Sequence, residues 1–310
     1  MRNAFAVEVT KLGLADPRIV LLTGDIGNKL FDQFKDKNEG CFFNCGIAEA
    51  NMMGVAAGLA LSGLRPIIYT ITPFTTTRCY EQIRVDACYH NVPVIIVGTG
   101  SGLSYAELGP THHSCEDLAI MRVLPNMTVL APADEVELRQ CLRTALKLKG
   151  PVYIRIGKKG EKITPKNDDK FEIGRSITVR EGSDVCLIST GTLLPIVMEA
   201  ASKLAVQGIT ARVESFHTIK PLDEGTLADV FSRFPVVSVI EEHSRIGGLG
   251  GSVSEWLARQ DRMKGRLFLF GTDDKFMHEV GTQEYARAKY GLTAENIALK
   301  ILAAHGKTTR

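Results

Sequence analysis

The sequence has 310 residues, 45% of them hydrophobic and 23% charged, which fits a globular protein of two domains and excludes a disordered chain. The formal charge is +2 and the basic residues are scattered, so a nucleic-acid-binding surface is not indicated. No apolar run reaches the roughly 18 residues of a membrane span, and the first residues lack the apolar core of a secretion signal. Seven cysteines without a Cys-x-x-Cys pair favour reduced thiols and predict a cytoplasmic protein.

The first half of the chain predicts an alternation of helices and buried strands. Strand-like runs of Val and Ile recur without polar alternation, and segments with helical spacing of apolar residues separate them. The predicted elements are a helix at 3–14, strands at 18–23, 66–71, 93–98, 127–131 and 151–156, and helices at 46–62, 77–89 and 134–149. This order predicts a parallel sheet covered on both faces, with ligands beyond the carboxyl ends of the strands.

The second half repeats the alternation after a segment at 157–169 whose composition is typical of a linker, since it is rich in Lys, Gly and Asp and contains Pro165. Strands are predicted at 184–190, 210–216, 236–241 and 267–270, and helices at 194–207, 224–232, 250–260 and 294–304. We therefore expect two consecutive α/β domains of the parallel-sheet sandwich type. Their predicted bounds are 1–165 and 181–310, with a linker and the first strand of the second domain at 166–180.

The segment 45–62 predicts an apolar helix with one carboxylate, Glu49, near its start. After Asn51 no polar side chain follows until Ser62, and the small residues between them let other backbones approach, so we expect this helix to be covered on most sides. A buried carboxylate needs a partner. The residues alone leave three possible partners for Glu49 open: the free amides of the first helical turn, a basic side chain, or a ring nitrogen of a bound ligand.

Short motifs are spread along both halves of the chain. They are Gly46-Ile47-Ala48-Glu49, Thr72-Pro73-Phe74, Arg78-Cys79-Tyr80-Glu81-Gln82, Gly109-Pro110-Thr111-His112, Leu124-Pro125-Asn126, Ala131-Pro132-Ala133-Asp134, Gly191-Thr192-Leu193, Lys220-Pro221-Leu222-Asp223-Glu224, Glu241-Glu242-His243 and Gly247-Gly248-Leu249-Gly250. In this order and spacing they resemble the transketolase family of thiamine diphosphate enzymes over nearly the whole chain. The resemblance implies a pyrimidine-type thiamine diphosphate-binding domain followed by a transketolase C-terminal-type domain.

The resemblance implies thiamine diphosphate and Mg²⁺ as cofactors, held jointly with a partner. Enzymes of this kind bind the diphosphate through the metal, using a Gly-Asp-Gly motif and a later Asn in a separate N-terminal domain. This sequence has no such motif, and Gly24-Asp25-Ile26-Gly27 only looks similar to it. The resemblance therefore implies a split enzyme whose diphosphate-binding half is another polypeptide. We expect this chain to dimerise and the complex to hold two copies of each chain.

The cofactor-binding residues are assigned by the same resemblance. Glu49 matches the carboxylate that hydrogen-bonds N1′ of the aminopyrimidine and so starts removal of the C2 proton. Phe74 matches in approximate position the aromatic residue that stacks on this ring. Counting back from Tyr80 gives Thr77 instead and leaves Tyr80 as the nearby aromatic. The other predicted cofactor contacts are Asp25, Ile26, Arg78 and Tyr80.

The resemblance also implies a set of substrate-binding residues. His112 stands in a Pro-Thr-His turn, where the imidazole donates to a developing oxyanion or shuttles a proton. His113 replaces a Gln of the family pattern. The predicted basic contacts are Lys29, Arg155 and Lys158. Segment 98–107 has no His or Arg for a phosphate, and Leu108 replaces an acidic residue, which argues against ordinary pentose-phosphate transketolase activity.

The implied function is a transferase subunit that moves a two-carbon ketol unit from a ketose-type donor to an aldehyde acceptor. The substrate would be a small sugar or sugar phosphate, with no nucleic acid and no membrane as partners. The alternatives are the β subunit of a 2-oxoacid dehydrogenase E1 component, a deoxyxylulose-phosphate synthase-like carboligase, or a non-catalytic assembly subunit. The Pro-Thr-His turn argues against the first, and the joint presence of Glu49, Phe74 and His112 argues against the last.

Overall fold

The computed structural model describes residues 1–27, 29–158, 160–165 and 171–308, and in these residues the strands form two sheets. Both sheets are mainly parallel and are built of buried apolar strands. The prediction of two α/β domains with mostly parallel sheets is confirmed. In these ranges no helix is long and apolar enough to cross a bilayer.

The first sheet is built mainly from the first half of the chain. Its strands from that half are β1 (Ile19–Thr23), β2 (Phe42–Asn44), β3 (Arg65–Ile71), β4 (Ile95–Thr99), β5 (Thr128–Leu130) and β6 (Val152–Ile156). They lie in the order β5-β6-β4-β3-β1-β2, and all are parallel. Their carboxyl ends therefore meet at one edge of the sheet.

The helices of this half flank the sheet. They are α1 (Arg2–Ala15), α2 (Asp32–Lys37), α3 (Glu49–Leu61), α4 (Thr72–Thr75), α5 (Tyr80–Gln82), α6 (Asp117–Arg122) and α7 (Glu135–Ala145), with 3₁₀ turns at Thr77–Cys79 and Ala106–Leu108 and a π-helix at Ile83–Tyr89. The helix predicted over 77–89 is therefore divided among three helix types. At its start, the hydroxyls of Thr76 and Thr77 donate to carbonyls four residues back, at 2.7 Å each, and such bonds often bend a helix.

Helix α3 is covered by this chain on one face only, contrary to the expectation from its composition. Met52, Met53 and Ala56 are fully buried against the first sheet. On the other side Val55 is 43% exposed and Leu61 63% exposed. The helix begins at Glu49, three residues after the predicted start.

The second sheet is formed by the second half of the chain. The strands of that half are β7 (Ile177–Arg180), β8 (Val185–Ser189), β9 (Ala211–Ser215), β10 (Thr218–Lys220), β11 (Val236–Ser244) and β12 (Arg266–Thr272), and its helices are α8 (Leu194–Val206), α9 (Glu224–Arg233), α10 (Leu249–Leu257), α11 (Gln283–Lys289) and α12 (Ala294–Thr308), with a 3₁₀ turn at Gly191–Leu193. The sheet has the order β12-β11-β8-β9-β7, and β7 is antiparallel to β9. Residues 159 and 166–170 of the predicted linker lie outside the described residues.

Strand β10 belongs to the first sheet, although it comes from the second half of the chain. It pairs antiparallel with β5, where Thr218 lies opposite Leu130. The amide of Ala131 donates to the carbonyl of His217 at 2.8 Å, and Lys220 Nζ donates to the carbonyl of Arg122 at 3.0 Å. The two domains therefore share hydrogen bonds as well as packed side chains.

A buried ion pair lies inside the first domain, close to the second. Arg155 Nε lies 2.8 Å from Asp117 Oδ2, and both side chains are at most 2% exposed. Tyr153 donates its hydroxyl to the same oxygen at 2.6 Å. The second terminal nitrogen of Arg155 donates to the carbonyls of Ser114 and Glu242 at 2.9 and 2.8 Å. This arginine therefore connects β6, the segment before α6 and β11.

We expect Asp117→Asn to lower the free energy of unfolding by about 3–5 kcal/mol, because it leaves the buried guanidinium of Arg155 without its counter-charge. Urea denaturation followed by circular dichroism measures the change. The matched control is Asp16→Asn, which removes an ion pair with Arg18 whose side chains are 57% and 30% exposed. The control should cost no more than about 1 kcal/mol. Equal losses in the two variants would contradict the role given to Arg155.

Candidate active site

Glu49 lies at the start of α3, beside the carboxyl end of β1. A Cβ placed on Gly24, which directly follows β1, would lie 3.4 Å from Cγ of Glu49. Glu49 is 2% exposed. The amides of the first helical turn favour its negative charge, and both carboxylate oxygens also lie 3.0 Å from Nη1 of Arg78. The sequence analysis left open which group is the partner of Glu49. In this structure a basic side chain, that of Arg78, forms the side-chain hydrogen bonds to it.

Arg78 joins Glu49 to an aromatic ring. Its Cζ atom lies 4.1 Å from the centroid of Phe74, within the range of a cation–π interaction. Phe74 belongs to α4, which directly follows β3 and so places the ring at the same edge of the sheet as Glu49. The arginine side chain is 44% exposed, whereas that of Glu49 is 2% exposed. The ion pair is therefore open to solvent on the arginine side.

Tyr80 and Thr77, the other residues considered for the stacking position, are engaged elsewhere. The Tyr80 hydroxyl donates to the carbonyl of Ile120 at 2.8 Å, its ring packs against the core, and burial raises its pKa. Thr77 donates its hydroxyl to Pro73. The structure thus brings Phe74, and not Tyr80, onto the guanidinium that binds Glu49.

His112 also lies beside the Phe74 ring. The two ring centroids are 5.3 Å apart and the planes meet at 69°. Nδ1 of the imidazole is 3.0 Å from Oγ1 of Thr111. Burial lowers the pKa of His112 below its ordinary value, and the charge of Arg78 lowers it further. The imidazole is therefore mainly neutral at pH 7 and has one nitrogen that donates and one that accepts.

Tyr105 lies between Lys158 and His112 and contacts both, although the sequence analysis did not select it as a site residue. Nζ of Lys158 is 4.4 Å from the ring centroid of Tyr105, and that ring is 6.0 Å from the ring of His112. The same ammonium group forms an ion pair with Glu107. The structure therefore brings a paired cation, an aromatic ring and an imidazole together next to Phe74.

Asp25 and Ile26 follow β1 and lie beside its neighbour β2. Asp25 is in the left-handed region at φ +53°. Its amide donates to Oδ1 of Asn44 at 3.1 Å, and Nδ2 of Asn44 donates back to Oδ1 of Asp25 at 3.0 Å. Ile26 is half-buried against the apolar cluster under α1. Both residues are at the carboxyl edge of the sheet, and the carboxylate of Asp25 is held by β2.

Three other predicted site residues are directed away from this group. Lys29 is exposed and lines a shallow surface pocket beside α1 with Val7. Arg155 is 3% exposed, and its donors bind the interior acceptors described above, so the structure corrects the prediction that it contacts substrate. His113 is buried and lines a cavity of about 240 Å³ between the domains, next to Met277.

Sequence reasoning missed two features near His112. The first is the Tyr105 and Glu107 pair around Lys158, for which the sequence gives no specific signal. In the structure the tyrosine ring packs so closely on Gly100 that an added Cβ would lie 2.0 Å from it. The second is Glu242, which accepts a hydrogen bond from the amide of Leu103 at 2.7 Å. The sequence could have indicated Glu242 as a candidate, because two consecutive glutamates directly follow the largely apolar first part of β11.

Comparison with known families covers most of the chain. Residues 1–160 match the family described as transketolase, pyrimidine binding domain. Residues 174–297 match the family described as transketolase, C-terminal domain.

Two related proteins are similar along almost their whole length. A putative transketolase C-terminal section of Methanocaldococcus jannaschii is 37% identical over 305 residues, which are 97% of this chain and 95% of that protein. The 6-deoxy-6-sulfo-D-fructose transketolase subunit SqwH of Clostridium sp. is 36% identical over 311 residues, with 100% of this chain and 95% of that subunit covered. Neither is named as a 2-oxoacid dehydrogenase subunit or as a synthase.

One solved structure shows the same relationship in three dimensions. It is described as a split gene transketolase in an inactive beta4 tetramer, and it superposes with a TM-score of 0.89 at 38% identity, covering 99% of this chain and 97% of that one. The chain therefore belongs to the transketolase family, and it matches the C-terminal section of split transketolases along its whole length.

Proposed function

We propose that this chain is the C-terminal subunit of a thiamine diphosphate-dependent transketolase that moves a two-carbon ketol unit from a ketose-type donor to an aldehyde acceptor. The observation that carries the proposal is the continuous group of Glu49, Phe74 and His112 at the carboxyl edge of the first sheet. Bound thiamine diphosphate would supply the carbanion that attacks the donor carbonyl and the ring that accepts the electrons of the cleaved bond.

The contacts of Arg78 support the fit of an aminopyrimidine ring. The guanidinium is flat, lies over Phe74 and donates to Glu49, which are the properties that an aminopyrimidine would need in the same space. Because Arg78 is 44% exposed, its guanidinium can be hydrated when it leaves this space, whereas Glu49, at 2% exposed, would need the ring nitrogen in its place. Glu49 and Phe74 would then hold the pyrimidine ring, and Arg78 would border it.

Glu49 would act on a proton at the pyrimidine ring. Its carboxyl group would share a proton with the ring nitrogen N1′, which favours the form of the ring that removes the C2 proton. The position at the start of α3 fixes the carboxylate because the backbone of the helix, and not a flexible loop, carries it.

His112 and Lys158 would contact the substrate. A neutral imidazole can donate to the oxygen that gains negative charge during attack, or pass a proton to it, and the lowered pKa of His112 keeps it neutral at pH 7. Lys158 would bind the distal end of a small sugar or sugar phosphate, which would compete with Glu107 for the ammonium group. We withdraw Lys29, Arg155 and His113 from the proposed substrate contacts.

A separate N-terminal subunit is part of the proposal. In the family the diphosphate and its Mg²⁺ are held by a Gly-Asp-Gly motif and a later Asn, and the sequence contains no such motif. The related chains are named as a C-terminal section and as a subunit, and the solved relative comes from a split gene. We propose that the partner holds the metal and the diphosphate, and that the enzyme works in the cytoplasm, where its seven free cysteines would stay reduced.

The exposed face of α3, together with Ile47 just before the helix, is the proposed contact with other chains. Ile47, Val55 and Leu61 are 77%, 43% and 63% exposed, and Gly54 and Gly58 near them would allow a second backbone to approach. Glu49 and Phe74 can reach only one end of an extended cofactor, so the other end needs a facing surface. The site would therefore lie between this chain and its partner.

We expect the chain alone to bind thiamine diphosphate weakly or not at all, because the groups for the metal-bound diphosphate would be on the partner. Isothermal titration calorimetry with Mg²⁺ present measures this for the chain and for the reconstituted complex. Micromolar binding to the chain alone would exclude the split site.

Glu49→Gln should keep the fold and the assembly and slow proton–deuterium exchange at C2 of the bound cofactor by on the order of 10²-fold or more, because the amide cannot share a proton with N1′. Nuclear magnetic resonance on the reconstituted complex gives the exchange rate. The matched control is Glu8→Gln, which changes another carboxylate that is 2% exposed and paired with an arginine, Arg143. An unchanged rate for Glu49→Gln would assign activation to another residue.

Light scattering should find this chain as a dimer, at twice its mass of 33.9 kDa, and find two copies of each chain when the partner is added. Val55→Glu should prevent this assembly by placing a charge in the proposed interface. The control Val206→Glu, at a site that is 83% exposed in the second domain, should leave it intact. A fully active monomer would refute both the interface and the shared site.

A further inference from the structure

The loop between β4 and α6, residues 100–116, carries His112 and is closed at its base by its own backbone. Gly102 and Ser114 form an antiparallel bridge. The amide of Gly102 donates to Oγ of Ser114 at 2.8 Å, and the amide of Ser114 donates to the carbonyl of Gly102 at 2.9 Å. The position of His112 relative to Phe74 therefore depends on where this base is held.

Glu242 of the second domain holds the base of the loop. It lies near the end of β11, is 1% exposed, and accepts from the amide of Leu103 at 2.7 Å through Oε1. Arg287 Nε donates to Oε2 at 2.5 Å, and Nε2 of Gln283 donates to Oε1 at 2.8 Å. The charge of the carboxylate is thus compensated by Arg287, and one of its oxygens is committed to the loop.

The backbone geometry shows that this contact is built for close approach. Gly102 has φ +56°, and an added Cβ would lie 2.5 Å from the carbonyl oxygen of Glu242 and 2.8 Å from its Oε1. Only glycine lets the loop come this near to β11. On the other side of the base, one terminal nitrogen of Arg155 donates to both Ser114 and Glu242 carbonyls.

We propose that Glu242 is a positioning residue for His112, so that the second domain sets the geometry of a site formed by the first. This inference rests on the proposed function for the role of His112, but the contact itself does not. Gln283 extends the same attachment, because its Nε2 also donates to Oγ of Ser104 in the loop at 3.1 Å. Loss of the Glu242 charge would weaken the bond to Leu103 and release the loop toward solvent.

Hydrogen exchange on the chain as it exists tests the contact without reference to activity. Glu242→Gln should speed exchange of the amides of Leu103 and residues 109–114 by about tenfold, because opening of the loop becomes easier. The matched control is Glu241→Gln. Glu241 is equally buried, at 1% exposed, but accepts from the amides of Leu249 and Gly250 at 2.8 Å, away from the loop.

Kinetics of the reconstituted enzyme test the role. Glu242→Gln should lower kcat roughly 10- to 100-fold, as expected for a misplaced group, with little change in the donor KM. Exchange at C2 of the cofactor should stay normal, because Glu49 is on α3 and not on the loop. In a double-mutant cycle, Glu242→Gln should add nothing to the loss caused by His112→Ala, since both act through the same imidazole.

The outcomes separate this inference from the proposed function. Loop exchange equal in Glu242→Gln and Glu241→Gln, or fully additive losses of kcat with His112→Ala, overturns the positioning role. If Glu242→Gln fails to fold, the variant Gln283→Leu is used in both measurements. This variant keeps the ion pair of Glu242 with Arg287 and removes the bond from Gln283 to Ser104, so it should give the same effects in weaker form. A wild-type complex without ketol transfer refutes the proposed function, and the loop exchange then still decides whether Glu242 holds the loop.

Discussion

The carboxylate of Glu49 at the start of an apolar helix is the constraint on which the site depends. It is 2% exposed, and a charge removed from water must find a donor or a counter-charge. Arg78 fills this need while keeping nearly half of its own surface in solvent. The two partners are therefore unequal: the arginine loses little by leaving, whereas Glu49 must then receive another donor. This arrangement supports the proposal of a flat ligand whose ring nitrogen shares a proton with Glu49, with Phe74 as the surface on which the ring would lie.

The two domains act on each other through a few buried polar contacts. Strand β10 leaves the second half of the chain and joins the first sheet beside β5. Arg155 connects β6 with β11, and Glu242 connects β11 with the loop that carries His112. The side chains of Arg155 and Glu242 are nearly fully buried, and each has a hydrogen-bonding partner on an element that is distant in sequence. A charge placed this way specifies one arrangement of the domains, because any other would leave it unpaired.

Much of the fold could be predicted because the strands of both sheets are short apolar runs separated by helical patterns. The strands that were not predicted, β2 and β10, have three residues each, and β2 is partly exposed. The first strand of the second domain, β7, lies within the segment 166–180 where it was expected. Nothing within Thr218–Lys220 indicates that it pairs with a sheet of the other domain. Glu49, Phe74 and His112 could be proposed from motifs whose chemistry is local, and the structure places the three side chains near one another. Arg155 was misplaced because a basic residue near the end of a strand can face either the ligand or the interior, and only the position of Asp117 decides between them.

The exposed apolar face of α3 has a consequence for how the protein is made. A chain that presents Ile47, Val55 and Leu61 to water is prone to associate with any apolar surface it meets before its proper neighbour arrives. The solved relative is described as an inactive beta4 tetramer, which is an assembly of one chain type. In the split enzyme proposed above, the yield of complete enzyme would be set by the scarcer of the two polypeptides. Balanced synthesis of both would then be a requirement that follows from the proposed contact at a single helix.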